Sequence, residues 1–298
     1  MRRPLYLAPA RLRFSYPTTE LYNFGGLEEQ DYEKAKVVVF PVPYEATTSY
    51  ISGTKWGPKA IIEASRHLEL FDIELKKDIS KIGIFTLPEL SSSKDSPREV
   101  VKEIKKAVSQ LLQDKKFVLM LGGEHGITPG SVAAFKEKYR DLSVLQIDAH
   151  SDLRDEYEGT KFSHACAMRR VHDLGVAVTA VGIRSQEESE ADYIRKERIK
   201  TIFYAPKIPV QKIISTLSKN VYLTFDIDGL DPSIMPATGT PEPGGLGFYE
   251  VLNLIKRVAK ARRIVGADLV ELSPLPGVVA PDFLAAKLAY KIIGYSQK

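Results

Sequence analysis

Leu142-Ser-Val-Leu-Gln-Ile147-Asp148-Ala-His150-Ser-Asp152 decides how the rest of the chain is read. An apolar run that closes in acidic residues reads as a buried strand delivering side chains at its carboxyl end. Side chains on extended backbone alternate faces, so Asp148, His150 and Asp152 can point the same way. Three ligand-type side chains on one face, at the mouth of a sheet, suit a metal ion. The competing explanation is local: a turn-forming aspartate, then an aspartate that caps the next helix.

Other short apolar runs place seven more strands around this one. They are Val37–Pro43, Lys81–Thr86, Phe117–Leu121, Val176–Gly182, Thr201–Tyr204, Val221–Phe225 and Ile264–Glu271. Helical periodicity lies between most of them, over Pro58–Phe71, Glu187–Arg198, Val210–Ser218 and Phe248–Lys260, with a last helix over Phe283–Tyr295. Ser96-Pro97-Arg98-Glu99 has the form of a capping box with proline at the first helical position, opening a helix that runs to about Lys115. His67 and His172 fall inside helical patterns and read as structural or surface groups. Strands alternating with helices mean α/β architecture: an eight-stranded parallel sheet flanked by helices in three layers. No linker or repeat interrupts the 298 residues, so 1–298 reads as a single domain. Residues 1–35, rich in Pro, Tyr and Gly, form an N-terminal arm packed on it.

Composition narrows the function by exclusion. The chain is 44% hydrophobic and 27% charged, with a net charge of +4 and the charges mixed along its length. There is no basic block, so nucleic-acid binding has no support. No apolar run reaches membrane-spanning length, and the start lacks a signal-peptide pattern. Cys166 is the one cysteine, which excludes an internal disulfide. The expected location is cytoplasmic.

In open α/β sheets ligands bind at the carboxyl ends of the strands. Four of those ends carry chemistry: Glu124-His125 after a glycine pair, Asp148-Ala-His150-Ser-Asp152, Asp226-Ile-Asp228-Gly-Leu-Asp231-Pro232, and Glu271. Taken singly, each has a bland explanation; Asp231-Pro232, for example, is good turn chemistry. Together they would force many like charges to converge, which Coulomb repulsion opposes unless a divalent cation is present. Carboxylates with two imidazoles and no thiolate favour Mn²⁺. The number of carboxylates points to two ions, as in centres where a metal pair roughly 3.5–4 Å apart shares a water.

These segments resemble the ureohydrolases, the family of arginases and agmatinases. The resemblance rests on Gly122-Gly-Glu-His125, Asp148-Ala-His-Ser-Asp152, Ser163-His164, Asp226-Ile-Asp-Gly-Leu-Asp-Pro232, Ala237-Thr-Gly-Thr-Pro241 and Asp268-Leu-Val-Glu271. The loop Pro43-Tyr-Glu-Ala-Thr-Thr-Ser49 matches as well, so the likeness spans roughly residues 35–290. It implies an arginase-like sheet in which the third, eighth, seventh and fourth strands are neighbours. It also implies two Mn²⁺ per chain: His125 and Asp152 on one, His150 and Asp228 on the other, and Asp148 and Asp226 on both. Glu124 stands where many members carry Asp. By the same resemblance a metal-bridging hydroxide attacks a guanidinium carbon, and Asp152 orients that hydroxide. Glu271 holds the guanidinium, Thr240 supports it, and His164 shuttles the proton to the leaving amine.

The loop Asp155-Glu156-Tyr157-Glu158 is acidic and looks like that of agmatinases. Agmatine, cleaved to putrescine and urea, is therefore the expected substrate, with Asp155, Glu156 and Tyr157 at its distal end. Other guanidino compounds (aminopropylagmatine, guanidinobutyrate or arginine) are alternatives. A catalytically silent metal-binding regulatory homologue and a mononuclear zinc deacetylase are the readings from other classes. The expected partner is a small cationic guanidino substrate. The resemblance further implies a homo-oligomer, a trimer or hexamer.

Overall fold

Four strands buried on both faces form the middle of the fold, and their runs are mostly apolar because helices cover both sides. The computed structural model describes residues 21–28, 30–91 and 96–297. Its strands are β1 (Val37–Val42), β2 (Phe71–Asp72), β3 (Lys77–Asp78), β4 (Ile84–Thr86), β5 (Phe117–Gly122), β6 (Leu142–Ile147), β7 (Ala177–Ile183), β8 (Ile202–Tyr204), β9 (Asn220–Asp226) and β10 (Arg263–Val270). Eight form one parallel sheet in the order β4-β1-β5-β10-β9-β6-β7-β8, and β2 pairs with β3 in a small antiparallel hairpin. The expected neighbours, the third, eighth, seventh and fourth sheet strands, are β5, β10, β9 and β6, and they lie side by side.

Alternation along the strands builds a core on each face. Val37, Val39, Leu145, Ile147 and Leu223 meet helices α1 (Gly57–Ser65), α6 (Val210–Thr216), α7 (Phe248–Ala261) and α8 (Ala280–Ser296). Val38, Phe40, Val144 and Tyr222 meet α2 (Pro97–Gln113), α3 (Thr128–Lys138) and α4 (Ala167–Asp173). Helix α5 (Glu188–Lys196) adds Tyr193 and Ile194 at the margin of the second core. Register aligns the chemistry: Ile147 lies opposite Phe225, and Asp226 opposite Val270, so Asp148 and Asp226 emerge at one level and Glu271 follows one residue beyond. Gly123 lets the end of β5 pass the β1 loop, because a Cβ there would lie 1.9 Å from the Tyr44 carbonyl oxygen.

Three local expectations are corrected. The first helix stops at Ser65, not Phe71, and His67 lies in the turn beyond it. There Asp72 accepts the N–H groups of Glu74 and Leu75, a local turn that opposes helix and makes the β2–β3 hairpin. The second sheet strand starts at Ile84, because Ile79–Ile82 form a 3₁₀ turn that Gly83 ends at φ 84°. Helix α3, absent from the sequence reading, is buried on nearly every side and so lacks an amphipathic stripe. Residues 1–20 of the expected arm lie outside the described residues; Phe24 is buried and donates its N–H to Thr86 Oγ1 at 3.0 Å.

The hairpin is tied to α8 by a buried cation. Lys291 Nζ lies 2.9 Å from Asp72 and 2.7 Å from Glu74, and Tyr295 also donates to Glu74. Lys291→Ala leaves Asp72 buried without its partner, a change that typically costs about 3–5 kcal/mol, readable as a lower urea midpoint. Burial alone would raise both carboxyl pKa values. Hydrogen bonds from Lys291 to Asp72, and from Lys256, Lys291 and Tyr295 to Glu74, outweigh it and hold both low, Glu74 at about 2. Because folding lowers these pKa values, the stabilisation is complete above the unfolded value of about 4 and is lost as pH falls through the folded values. A Lys291→Ala midpoint unchanged at neutral pH would contradict the account.

Candidate active site

Each acidic strand end uses its backbone to aim one carboxylate oxygen. Asp148 Oδ1 accepts the His150 N–H at 2.6 Å, Asp226 Oδ1 the Asp228 N–H at 3.0 Å, and Asp228 Oδ1 the Ala149 N–H at 3.0 Å. The other oxygen of each faces an imidazole. His125 Nδ1 lies 3.2 Å from Asp148, 3.0 Å from Asp152 and 3.3 Å from Asp226. His150 Nδ1 lies 3.0 Å from Asp228 and 3.8 Å from Asp148. The donor atoms of His125, Asp148 and Asp152 fall within 4.8 Å of one another, and so do those of Asp148, His150 and Asp228. Asp148 belongs to both groups. Asp226 faces the first from beside His125.

A metal fits this donor set for a reason independent of the distances. Thr224 Oγ1 donates to Asp268 Oδ1 at 2.6 Å and so accepts from His125 Nε2 at 2.8 Å. In the neutral ring that leaves Nδ1 with its lone pair, buried, without a hydrogen bond, and aimed at three carboxylates. Burial opposes a charge on the ring, yet Asp148, Asp152 and Asp226 raise the His125 pKa well above its ordinary value, so the pocket calls for positive charge, which a divalent ion supplies. The proton affinities carry the same strain. Burial, then the Asp152 and Asp228 charges, push Asp148 up to about 7. Burial, then Asp228 and Asp148, push Asp226 well above the carboxylate range. Burial opposes ionisation of both His150 and Asp228, yet their pairing takes His150 up to about 11 and Asp228 down to about 2.

Two of the side chains sit on left-handed backbone: Asp152 at φ 52° and Glu271 at φ 67°. Such conformations cost about 1–3 kcal/mol in non-glycine residues and gather at functional sites. Glu271 is 8% exposed, and its Oε1 accepts the His125 N–H at 2.6 Å. Burial, then the Glu124 charge, raise its pKa well above the usual range. Glu124 is fully buried and turned away from the centre. Its carboxylate accepts the N–H groups of Ala46 and Thr47 at 2.8 and 2.7 Å and the Thr47 hydroxyl at 2.9 Å.

The centre opens into a cavity of about 380 Å³ walled by His125, His150, Asp152, Asp226, Asp228, Glu271, His164, Tyr157 and Thr240. His164 meets the Tyr157 ring edge-on at 5.9 Å. Asp155 and Glu156 are not among the lining residues: Asp155 turns outward to Arg170 at 2.7 Å and Lys161 at 3.3 Å. The acidic wall comes instead from Glu187, Glu190 and Glu242, which the sequence reading did not single out. Glu190 is 5% exposed and accepts from Ser151 Oγ at 2.9 Å and from the Leu153 N–H at 2.7 Å, holding the loop that carries Asp152. Glu187 starts α5 as a capping residue, and that local pattern was the one sequence signal available for it. Asp231 does the turn work read from it, accepting from Ser233, Gly244 and Gly245.

A parallel α/β sheet that gathers buried carboxylates and imidazoles at its carboxyl ends is the architecture of a metal-dependent hydrolase. Comparison with known proteins gives the family: the model of the Arginase family matches residues 35–294. An N(1)-aminopropylagmatine ureohydrolase of Synechocystis sp. is 44% identical over 89% of this chain and 90% of its own length. An agmatinase of Pyrococcus horikoshii is 33% identical over 93% of this chain and 99% of its own. The crystal structure of the agmatine ureohydrolase of Thermoplasma volcanium superposes with a TM-score of 0.83 at 34% identity, covering 94% of this chain and 95% of that one. The chain belongs to the arginase family and is a ureohydrolase. No helix among the described residues is long and apolar enough to cross a membrane.

Metal binding by this site has a readout that needs no substrate. Divalent metal should raise the thermal midpoint of the metal-free protein, by the equivalent of about 2.7 kcal/mol for each site filled at a hundredfold excess over its Kd. Asp148→Asn, which takes a charged donor from both groups, should abolish most of that rise while keeping the fold. A full metal-induced shift in Asp148→Asn would contradict the shared-ligand arrangement.

Proposed function

We propose that the chain cleaves the guanidino group of a linear guanidino-amine, releasing urea and an amine, and that it does so with two Mn²⁺. The observation that carries this is the Asp148 carboxylate shared between two donor groups, in a cavity that also holds Glu271 and His164. His125, Asp148, Asp152 and Asp226 would hold one ion, and His150, Asp228, Asp148 and Asp226 the other. Oxygen-rich donors with one imidazole on each side suit Mn²⁺. Such ions, when bound, act as Lewis acids and make ionised water available at neutral pH.

The side chains supply the rest. Glu271 spends one oxygen on the His125 N–H and keeps the other for a charge-assisted bond to the guanidinium. A cation there relieves the burial that otherwise disfavours its ionised form. Asp152 orients the attacking water, and Thr240 hydrogen-bonds the guanidino nitrogens. Collapse of the tetrahedral species breaks a C–N bond, and the leaving nitrogen needs a proton, which His164 delivers.

Distal carboxylates favour an amine-bearing tail. Glu187 and Glu242 wall the cavity, and Arg154 is stacked on Tyr157 with its guanidinium 4.7 Å from the ring. An arginine α-carboxylate would be desolvated near like charge, so discrimination against arginine of roughly 10² or more is expected. The carboxylates of the distal wall and the 44% identity to a relative named N(1)-aminopropylagmatine ureohydrolase support that compound as the preferred substrate. Agmatine is the second reading, supported by the agmatinase relative and the agmatine ureohydrolase structure. The enzyme is proposed to work in the cytoplasm as a homo-oligomer, for which exposed Tyr249, Ile73 and Val279 offer contact surface.

Urea release should be measured with Mn²⁺ at fixed pH and salt for aminopropylagmatine, agmatine, guanidinobutyrate and arginine. The expected order of kcat/KM is that in which they are named, with the two carboxylate-bearing compounds far behind. Equal or better efficiency with arginine contradicts the substrate reading, and no urea from any compound contradicts the reaction. His164→Ala should retain its metal and lose roughly 10²–10⁴ in kcat.

A further inference from the structure

Thr47 lies on the loop after β1, far in sequence from both Glu124 and His164, yet it touches each. Its hydroxyl donates to Glu124 Oε1 at 2.9 Å. The same oxygen accepts the His164 backbone N–H at 3.0 Å and lies 3.2 Å from His164 Nδ1. A hydroxyl has one proton to give and two lone pairs. With the proton committed to Glu124 and one lone pair to the backbone of residue 164, the remaining contact with the ring must be accepted from Nδ1–H. Glu124 cannot turn away, because the Ala46 and Thr47 N–H groups hold its other oxygen.

We propose that Thr47 is a positioning residue that fixes the tautomer of His164: the chain Glu124–Thr47–His164 keeps the proton on Nδ1 and leaves Nε2 bare toward the cavity. The inference rests on the reading of His164 as the proton carrier. It adds which nitrogen carries the proton, and why. Nε2 takes a proton as water is ionised, Nδ1–H stays on Thr47, and Nε2 returns that proton to the leaving nitrogen as the C–N bond breaks. No proton crosses the ring, and none is gained or lost over the cycle. Were the neutral ring protonated at Nε2 instead, it could not accept that proton on the cavity side. Ser163 Oγ, 3.3 Å from Nδ1, is the competing partner, and as a donor it would favour that other tautomer.

The test reads the ring directly. Full-length protein labelled with ¹⁵N-histidine and loaded with a diamagnetic divalent ion should give pyrrole-type Nδ1 and pyridine-type Nε2 signals for neutral His164, assigned by their loss in His164→Asn. The opposite pattern in the wild type overturns the proposal without any variant. Thr47→Val should mix the tautomers and lower kcat roughly tenfold, the fold-change one ordinary hydrogen bond is worth, with metal content and KM little changed. Thr47→Ser should restore both signal and kcat, and Ser163→Ala should leave the signal in place. An unchanged ring signal in Thr47→Val, a changed signal with wild-type kcat, or no rescue by Ser each overturns it. If His164→Asn itself keeps full kcat, the proton-carrier reading fails, while the ring signals still decide whether Thr47 sets the tautomer.

Discussion

The repulsion among carboxylates gathered at the ends of β6 and β9 is the constraint on which the rest of this molecule depends. Two like charges about 4 Å apart repel by about 4 kcal/mol at the effective dielectric of a protein, and here several converge on a buried imidazole. The fold withstands this by holding each carboxylate from behind. Backbone N–H groups take one oxygen of Asp148, Asp226 and Asp228. Parallel strands, buried on both faces, fix the levels at which those N–H groups emerge. The residual strain appears in the left-handed backbone of Asp152 and Glu271 and in raised carboxyl pKa values.

Behind the ring of donors stand buried carboxylates that hold other residues in place. Asp268 acts on His125 through Thr224 and is itself held by Thr128 and Tyr222. Glu190 fastens the loop carrying Asp152. Glu124 reaches His164 through Thr47. Each is a charge sunk in apolar surroundings and fully paired, the condition under which a buried charge orients its neighbours instead of destabilising the fold.

Much of this was legible in the sequence because strand ends are the one place where an α/β chain concentrates function. The apolar runs gave the strands, and alternation after Ile147 and Phe225 put Asp148 with His150 and Asp226 with Asp228. What resisted reading has physical causes. Helix α3 is buried all round, so its periodicity vanishes, and Asp72 forms a turn whose local bonds a periodicity count does not see. The distal wall was misjudged because loop side chains follow no period: Asp155 turns to Arg170, and Glu187 and Glu242 reach the cavity from separate loops. Glu124, set apart as a departure from the usual Asp, acquires a role only once Thr47 is seen beside it.

The central claim is that one carboxylate, Asp148, joins two cation sites. It is tested most directly by electron paramagnetic resonance of the protein titrated with Mn²⁺, with metal per chain counted in the same samples. The account predicts saturation at two ions per chain and, at saturation, the broadened spectrum of an exchange-coupled pair, since ions about 3.5–4 Å apart must interact. Saturation at one ion per chain, or two ions with the spectrum of isolated Mn²⁺, would contradict it.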